Sequence, residues 1–157
     1  MGIWEKINAA WKGENAADSE PVTSGDQTNA EPKETHVNEG KNYDFDDIVS
    51  LIKTKPDNVI LLDVREPEEF AIVQIPGSVN MPYKSAPDAL AYGDEEFKGK
   101  FGFPKPSKDQ ELVFFCAAGR RALGAQTKAV EEGYTNASIY SGSTNDWVAK
   151  GGDKLQF

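Results

Sequence analysis

Two stretches, "VILLDV" at 59–64 and "ELVFF" at 111–115, are nearly unbroken runs of aliphatic and aromatic residues. Runs of five or six without polar alternation read as strands covered on both faces, and such strands need helices between them. The intervening sequence supplies helix signals. "DFDDIVSLIKTK" offers Asp44 as an N-cap, acids in the first turn, Ile48, Leu51 and Ile52 on one face, and lysines at its end. "EPEEFAIV" begins with a proline suited to a first helical turn, and "GSVNMP" reads as a short strand between Gly and Pro. A helix is expected around "DEEFKGKF", and another from about Arg120 to Glu132 with Gly133 as its stop. "ASIYSG" reads as a strand and "STNDWVAK" as a last, capped helix. Strands separated by helices pair in parallel through right-handed crossovers, so the expected fold is α/β, a three-layer arrangement of a central parallel sheet flanked by helices.

Ahead of this pattern, residues 13–41 contain a single large aliphatic residue, Val22, before Val37, amid Glu, Asn, Ser, Thr and Gly. That is too little apolar surface to offset the entropy of ordering, and the segment reads as a disordered acidic linker with a span of about 30 Å. Residues 1–12, "MGIWEKINAAWK", place Ile3, Trp4, Ile7 and Trp11 on one side of a short amphipathic helix. Its two readings are a weak docking element, for a membrane surface or a protein, and a segment that folds back on its own domain. Lys6 stands where a myristoylation signal needs Ser or Thr, and Glu5 with no Arg departs from a mitochondrial transit peptide. The folded domain is expected over 42–157. No apolar run reaches the length of a membrane span.

The net charge is −9, which repels phosphate backbones and makes nucleic acid an unexpected partner. The single cysteine, Cys116, excludes an internal disulfide and a multi-cysteine zinc site. The single histidine, His36, falls in the linker, so a Cys–His pair within the domain, a Ser–His–Asp triad and a histidine metal centre are excluded as well. No cofactor is expected.

Cys116 follows the strand "ELVFF" directly and opens the loop "CAAGRR". In open parallel sheets ligands bind beyond the carboxyl ends of strands, where loops lead into helix N-termini. Two alanines and a glycine let the backbone curl with its N–H groups inward, and the following helix adds its positive end. An anion cradle around a sulfur favours thiolate over thiol and makes a nucleophile without a histidine base. A lone cysteine after an apolar strand is more often a small buried hydrophobe. Gly119, Arg120 and Arg121 argue otherwise, because a merely buried cysteine needs neither a bendable loop nor adjacent cations.

"CAAGRR" resembles the active-site loop Cys-x-x-Gly-x-Arg of the rhodanese family, and "LLDVREPEEF" and "IPGSVNMP" resemble the two signatures that precede it there. "YSGSTNDW" resembles the family's last motif, and together they span about residues 43–157 in the family's order. Among members the pattern is most similar to the small single-domain fungal thiosulfate sulfurtransferases. The resemblance implies that Cys116 accepts sulfur and that the amides from Ala117 through Ala118, Gly119 and Arg120 to Arg121 hold the persulfide and the anionic donor. It implies that Arg121 binds the sulfonate-like end, a task suited to its planar fork, while Arg120 at the variable position enriches the positive field. Asp63 and Arg65 match the Asp-x-Arg of the first signature, either orienting the loop or forming an ordinary ion pair at a strand end. Trp147 reads as core. Gln74 stands where the second signature usually has histidine.

The family's phosphatases use a longer loop, Cys-x-x-x-x-x-Arg, whereas four residues separate Cys116 from Arg121 and Ala122 follows. The expected reaction is a two-step sulfur transfer from thiosulfate or a persulfide, through Cys116, to cyanide, glutathione or another thiol. The rival is a sulfur-carrier or redox-signalling adaptor with incidental turnover. The expected location is cytoplasmic or mitochondria-associated, without secretion.

Overall fold

The computed structural model describes residues 37–157. The expected helix at 1–12, most of the expected linker and His36 lie outside them. Helix α1 (Phe45–Thr54) starts with a capping box in which Asp44 accepts the Asp47 N–H and Asp47 accepts that of Asp44. It buries Ile48 and Ile52. Strand β1 (Val59–Asp63) leads into α2 (Pro67–Ile72), which has proline at its start and no buried residue. Strand β2 (Val79–Asn80), a 3₁₀ turn at Ala89–Ala91, and α3 (Asp94–Phe101) follow. Then come β3 (Glu111–Phe115), α4 (Arg120–Glu131), β4 (Ala137–Ile139), α5 (Ser143–Ala149) and a closing 3₁₀ turn at Gly152–Lys154.

The four strands are parallel in the order β2-β1-β3-β4. Register pairs Val59 with Glu111 and Asp63 with Phe115, so β1 and β3 end side by side. Along β3 the side chains alternate between two cores. Leu112 and Phe114 join Leu62, Phe97 of α3, and Ala122, Ala125 and Ala129 of α4. Val113 and Phe115 join Leu61, Ile48 and Ile52 of α1, and Trp147 of α5. Both faces of the central strands are therefore dry, and this is why their sequences show no polar alternation. Small alanines on α4 let its backbone lie close to the sheet.

The sheet edge takes in residues that composition assigns to the linker. Asn38 exchanges side-chain hydrogen bonds with the Ala137 backbone, Lys41 accepts the Ile139 N–H at 2.9 Å, and Asn42 bridges Ile139 in parallel. A Cβ on Gly40 would lie 2.1 Å from the Ala137 oxygen, so this polar strip fits against β4 only as glycine. Hydrogen bonding to an exposed sheet edge needs no apolar side chains, and hydropathy alone does not register it.

Candidate active site

The carboxyl ends of β1 and β3 converge on Cys116, which is 1% exposed. Phe115 and Phe114 carbonyls accept from Val64 and Tyr140, which fixes the strand on both sides up to the loop. Beyond it, the carbonyls of Cys116 and Ala117 accept from Thr144 at 2.9 Å and Asn145 at 3.0 Å, so the first turn of α5 holds the loop's outward-turned oxygens. The opposite, N–H side of the loop is thereby turned inward.

The Cys116 sulfur accepts the Gly119 N–H at 3.0 Å and the Ala122 N–H at 3.4 Å. The backbone N–H groups of Ala117, Ala118, Arg120 and Arg121 donate to no acceptor among the described residues. The sulfur thus takes two backbone N–H dipoles at the N-terminus of α4. Gly119 makes the curl possible: its φ is 103°, and a Cβ there would lie 2.6 Å from the Ser141 oxygen.

Ser143 was not singled out from the sequence, where "STNDWVAK" reads as a capped helix start. Its hydroxyl does not cap α5. The oxygen accepts the Cys116 N–H at 3.0 Å and the proton goes to the Tyr140 carbonyl at 2.9 Å, leaving only a 4.0 Å approach to the sulfur. Ser143 is fully buried with φ of 61°, a left-handed conformation uncommon for a non-glycine residue.

Arg121 likewise has a partner that the sequence reading lacked. Its two outer nitrogens donate to the two carboxylate oxygens of Glu69 on α2, at 2.7 and 3.1 Å. Glu69 also accepts the Glu66 N–H at 3.1 Å. The Arg121 hydrogen bond is the main cause that holds the Glu69 carboxyl down at about 2, and the same bond raises the guanidinium. The fork that the resemblance assigns to a donor's sulfonate end donates here to a carboxylate. A glutamate at the third position of a helix headed by Glu66-Pro67 was the available signal, but nothing local pointed it at residue 121.

Asp63 and Arg65 form a buried ion pair, 2.7 Å at its shortest, at the exit of β1. Arg65 also donates to the Val73 carbonyl and Asn80 bonds the Asp63 and Arg65 carbonyls. These contacts brace β1 against α2 and β2, and none reaches the Cys116 loop. Trp147 is fully buried, 5.1 Å from the Phe45 ring centroid, in the core as expected. Gln74 is exposed. A cavity of about 730 Å³ is lined by residues including Pro67, Phe70, Pro82 and Phe101 and by none from the loop. Among the described residues no cluster of His, Cys, Asp and Glu is fit to hold a metal, and no helix is long and apolar enough to cross a membrane.

A parallel sheet in which β3 runs into a cysteine whose sulfur accepts backbone N–H groups at the head of a helix defines a class of protein. Residues 45–150 match the rhodanese-like domain, and the chain belongs to the rhodanese family. The thiosulfate:glutathione sulfurtransferase of Saccharomyces cerevisiae is 41% identical over 153 residues, covering 98% of this chain and 99% of that one. The mitochondrial thiosulfate sulfurtransferase RDL2 of the same yeast is 45% identical over 112 residues, 71% of this chain and 75% of its own. The crystal structure of the single-domain sulfurtransferase RDL2 superposes with a TM-score of 0.72 at 42% identity, over 75% of this chain and 96% of that one.

Proposed function

We propose that the protein is a thiosulfate sulfurtransferase whose nucleophile is Cys116 and whose physiological acceptor is a low-molecular-weight thiol of the glutathione type. The observation that carries this reading is the Cys116 sulfur held by the Gly119 and Ala122 N–H groups, in a turn whose Ala117, Ala118, Arg120 and Arg121 N–H groups take no acceptor among the described residues. The Cys116 thiolate attacks the outer sulfur of thiosulfate. The sulfur–sulfur bond breaks, its electron pair leaves with sulfite, and the enzyme retains a Cys116 persulfide. The unspent amides of Ala117, Ala118, Arg120 and Arg121 are the donors this reading assigns to the negative charge that collects on the persulfide and on the departing sulfite. An acceptor thiolate then takes the outer sulfur, leaving as its own persulfide and restoring the Cys116 thiolate; with cyanide the product is thiocyanate. As the chain has one cysteine, no partner within it can convert the persulfide to a disulfide, and the sulfur passes outward.

The names of the relatives support donor and acceptor alike, and two relatives named as mitochondrial support a mitochondria-associated location. Phosphoester hydrolysis is disfavoured because the loop is short and its motif arginine is bound to Glu69. Intact-protein mass spectrometry provides the test. Thiosulfate alone is expected to add one sulfur atom, cyanide or glutathione to remove it, and Cys116→Ser to abolish both the gain and turnover, since a serine hydroxyl stays un-ionised in the same cradle. A wild-type protein that never gains the sulfur would overturn the assignment.

A further inference from the structure

The two arginines after Gly119 are not equivalent. Arg121 spends both outer nitrogens on Glu69, whose carboxyl stays ionised down to about pH 2, so the two form a neutral unit across the physiological range. Asp63 and Arg65 form a second neutral unit at the neighbouring strand end. Arg120, at the first position of α4, is exposed and makes no ion pair or hydrogen bond from its side chain among the described residues. It adjoins Gly119, whose N–H holds the sulfur. The remaining loop residues are alanines, which bring dipoles to the site and no net charge.

Thiosulfate carries two negative charges. With its outer sulfur at Cys116, thiosulfate presents its three oxygens away from that sulfur, and Arg120 is rooted one residue from Gly119, whose N–H the Cys116 sulfur accepts. A neutral ion pair has a field that dies quickly with distance, whereas a lone cation keeps a net charge whose field falls more slowly, reduced by solvent and salt. We propose that Arg120 is the specificity-determining cation of this site, selecting dianionic sulfur donors, and that Arg121 is a positioning residue that pins the first turn of α4 to α2 through Glu69. The assignment rests on the sulfurtransferase reading above.

Steady-state kinetics with thiosulfate and cyanide separate the roles, alongside benzenethiosulfonate as a donor of single charge. Arg120→Gln is expected to raise KM for thiosulfate about tenfold with kcat within about twofold, and to raise KM for the monoanion only about threefold, since halving the charge halves the interaction. Arg120→Lys keeps the charge and is expected to restore KM to within about threefold of wild type. Arg121→Lys loses the two-point grip on Glu69 and is expected to lower kcat while KM stays within about twofold. Substitution at an exposed first helical position leaves the fold intact, which a thermal melt checks. An Arg120→Gln variant with unchanged KM, or an Arg121→Lys variant whose KM alone rises, would return donor recognition to Arg121 and refute the proposal. If the wild-type protein forms no Cys116 persulfide in the mass measurement, the sulfurtransferase reading itself fails, an outcome distinct from an unchanged KM in an enzyme that does form it.

Discussion

Glu69 and Arg121, separated by 52 positions in the chain, show how one residue pair can govern a loop made mostly of backbone. The pair is partly exposed, so its contribution to stability is about 1 kcal/mol or less after screening. Its pH dependence has a definite sign. The Glu69 carboxyl is lowered from 4.5 to about 2 in the folded state, so the contribution is complete above about pH 4.5 and is lost as pH falls toward 2. Glu69→Gln is therefore expected to be less stable than wild type at pH 7 and nearly level with it near pH 2; thermal melts at the two pH values compare them, and a constant gap would exclude the pair as its source. Ser143 acts through a single oxygen. Ser143→Ala leaves the buried Cys116 N–H without an acceptor, and the expected loss is about 1–3 kcal/mol by denaturant unfolding. Ser143→Gly, which accepts φ of 61° without strain, is expected to recover part of that loss.

Among the elements, those specified by neighbouring residues were legible in advance. Asp44 and Asp47 cap α1 through contacts three residues apart, and Pro67 starts α2, because both signals are local. The start of α5 differs, since Gly142 occupies its cap position without a side-chain bond while Ser143 turns toward Cys116. The strand expected at "ASIYSG" is only Ala137–Ile139, because Tyr140 and Ser141 already begin the turn that faces Gly119. The loop-to-α4 junction carries the most demanding backbone. Gly119→Ala meets both a positive φ and the Ser141 carbonyl, and it is expected to cost at least about 2 kcal/mol and to abolish the thiosulfate-dependent mass gain. Wild-type stability and mass gain in that variant would mean the loop can curl another way.

At the scale of the whole molecule, the edge strip at 38–43 extends the sheet past β4. Besides the bonds to Ala137 and Ile139, the Tyr43 hydroxyl donates to the buried Glu111 carboxylate at 2.6 Å, which also accepts from Ser138. A chain beginning at residue 44 loses these bonds and leaves Glu111 with one donor fewer. It is expected to melt several degrees below a chain beginning at residue 37, about what 1–2 kcal/mol produces in a domain of this size. Equal melting temperatures would mean that the strip adds nothing to the domain.

The sequence by itself determined the alternation of strands and helices, the burial of both faces of "VILLDV" and "ELVFF", and a lone thiol set at a strand end before a bendable loop. These follow from local periodicity, capping and turn chemistry, which act over a few residues. Only the tertiary structure decided which partner each polar group takes. Arg121 had 26 acids in the chain to pair with, and Ser143 had a helix to cap; the convergence of α2, α4 and the β4–α5 turn around Cys116 selected Glu69 for the one and the Cys116 N–H for the other. Charges and hydroxyls pair by proximity in space, and that proximity is set by the packing of the apolar strands rather than by any spacing along the chain.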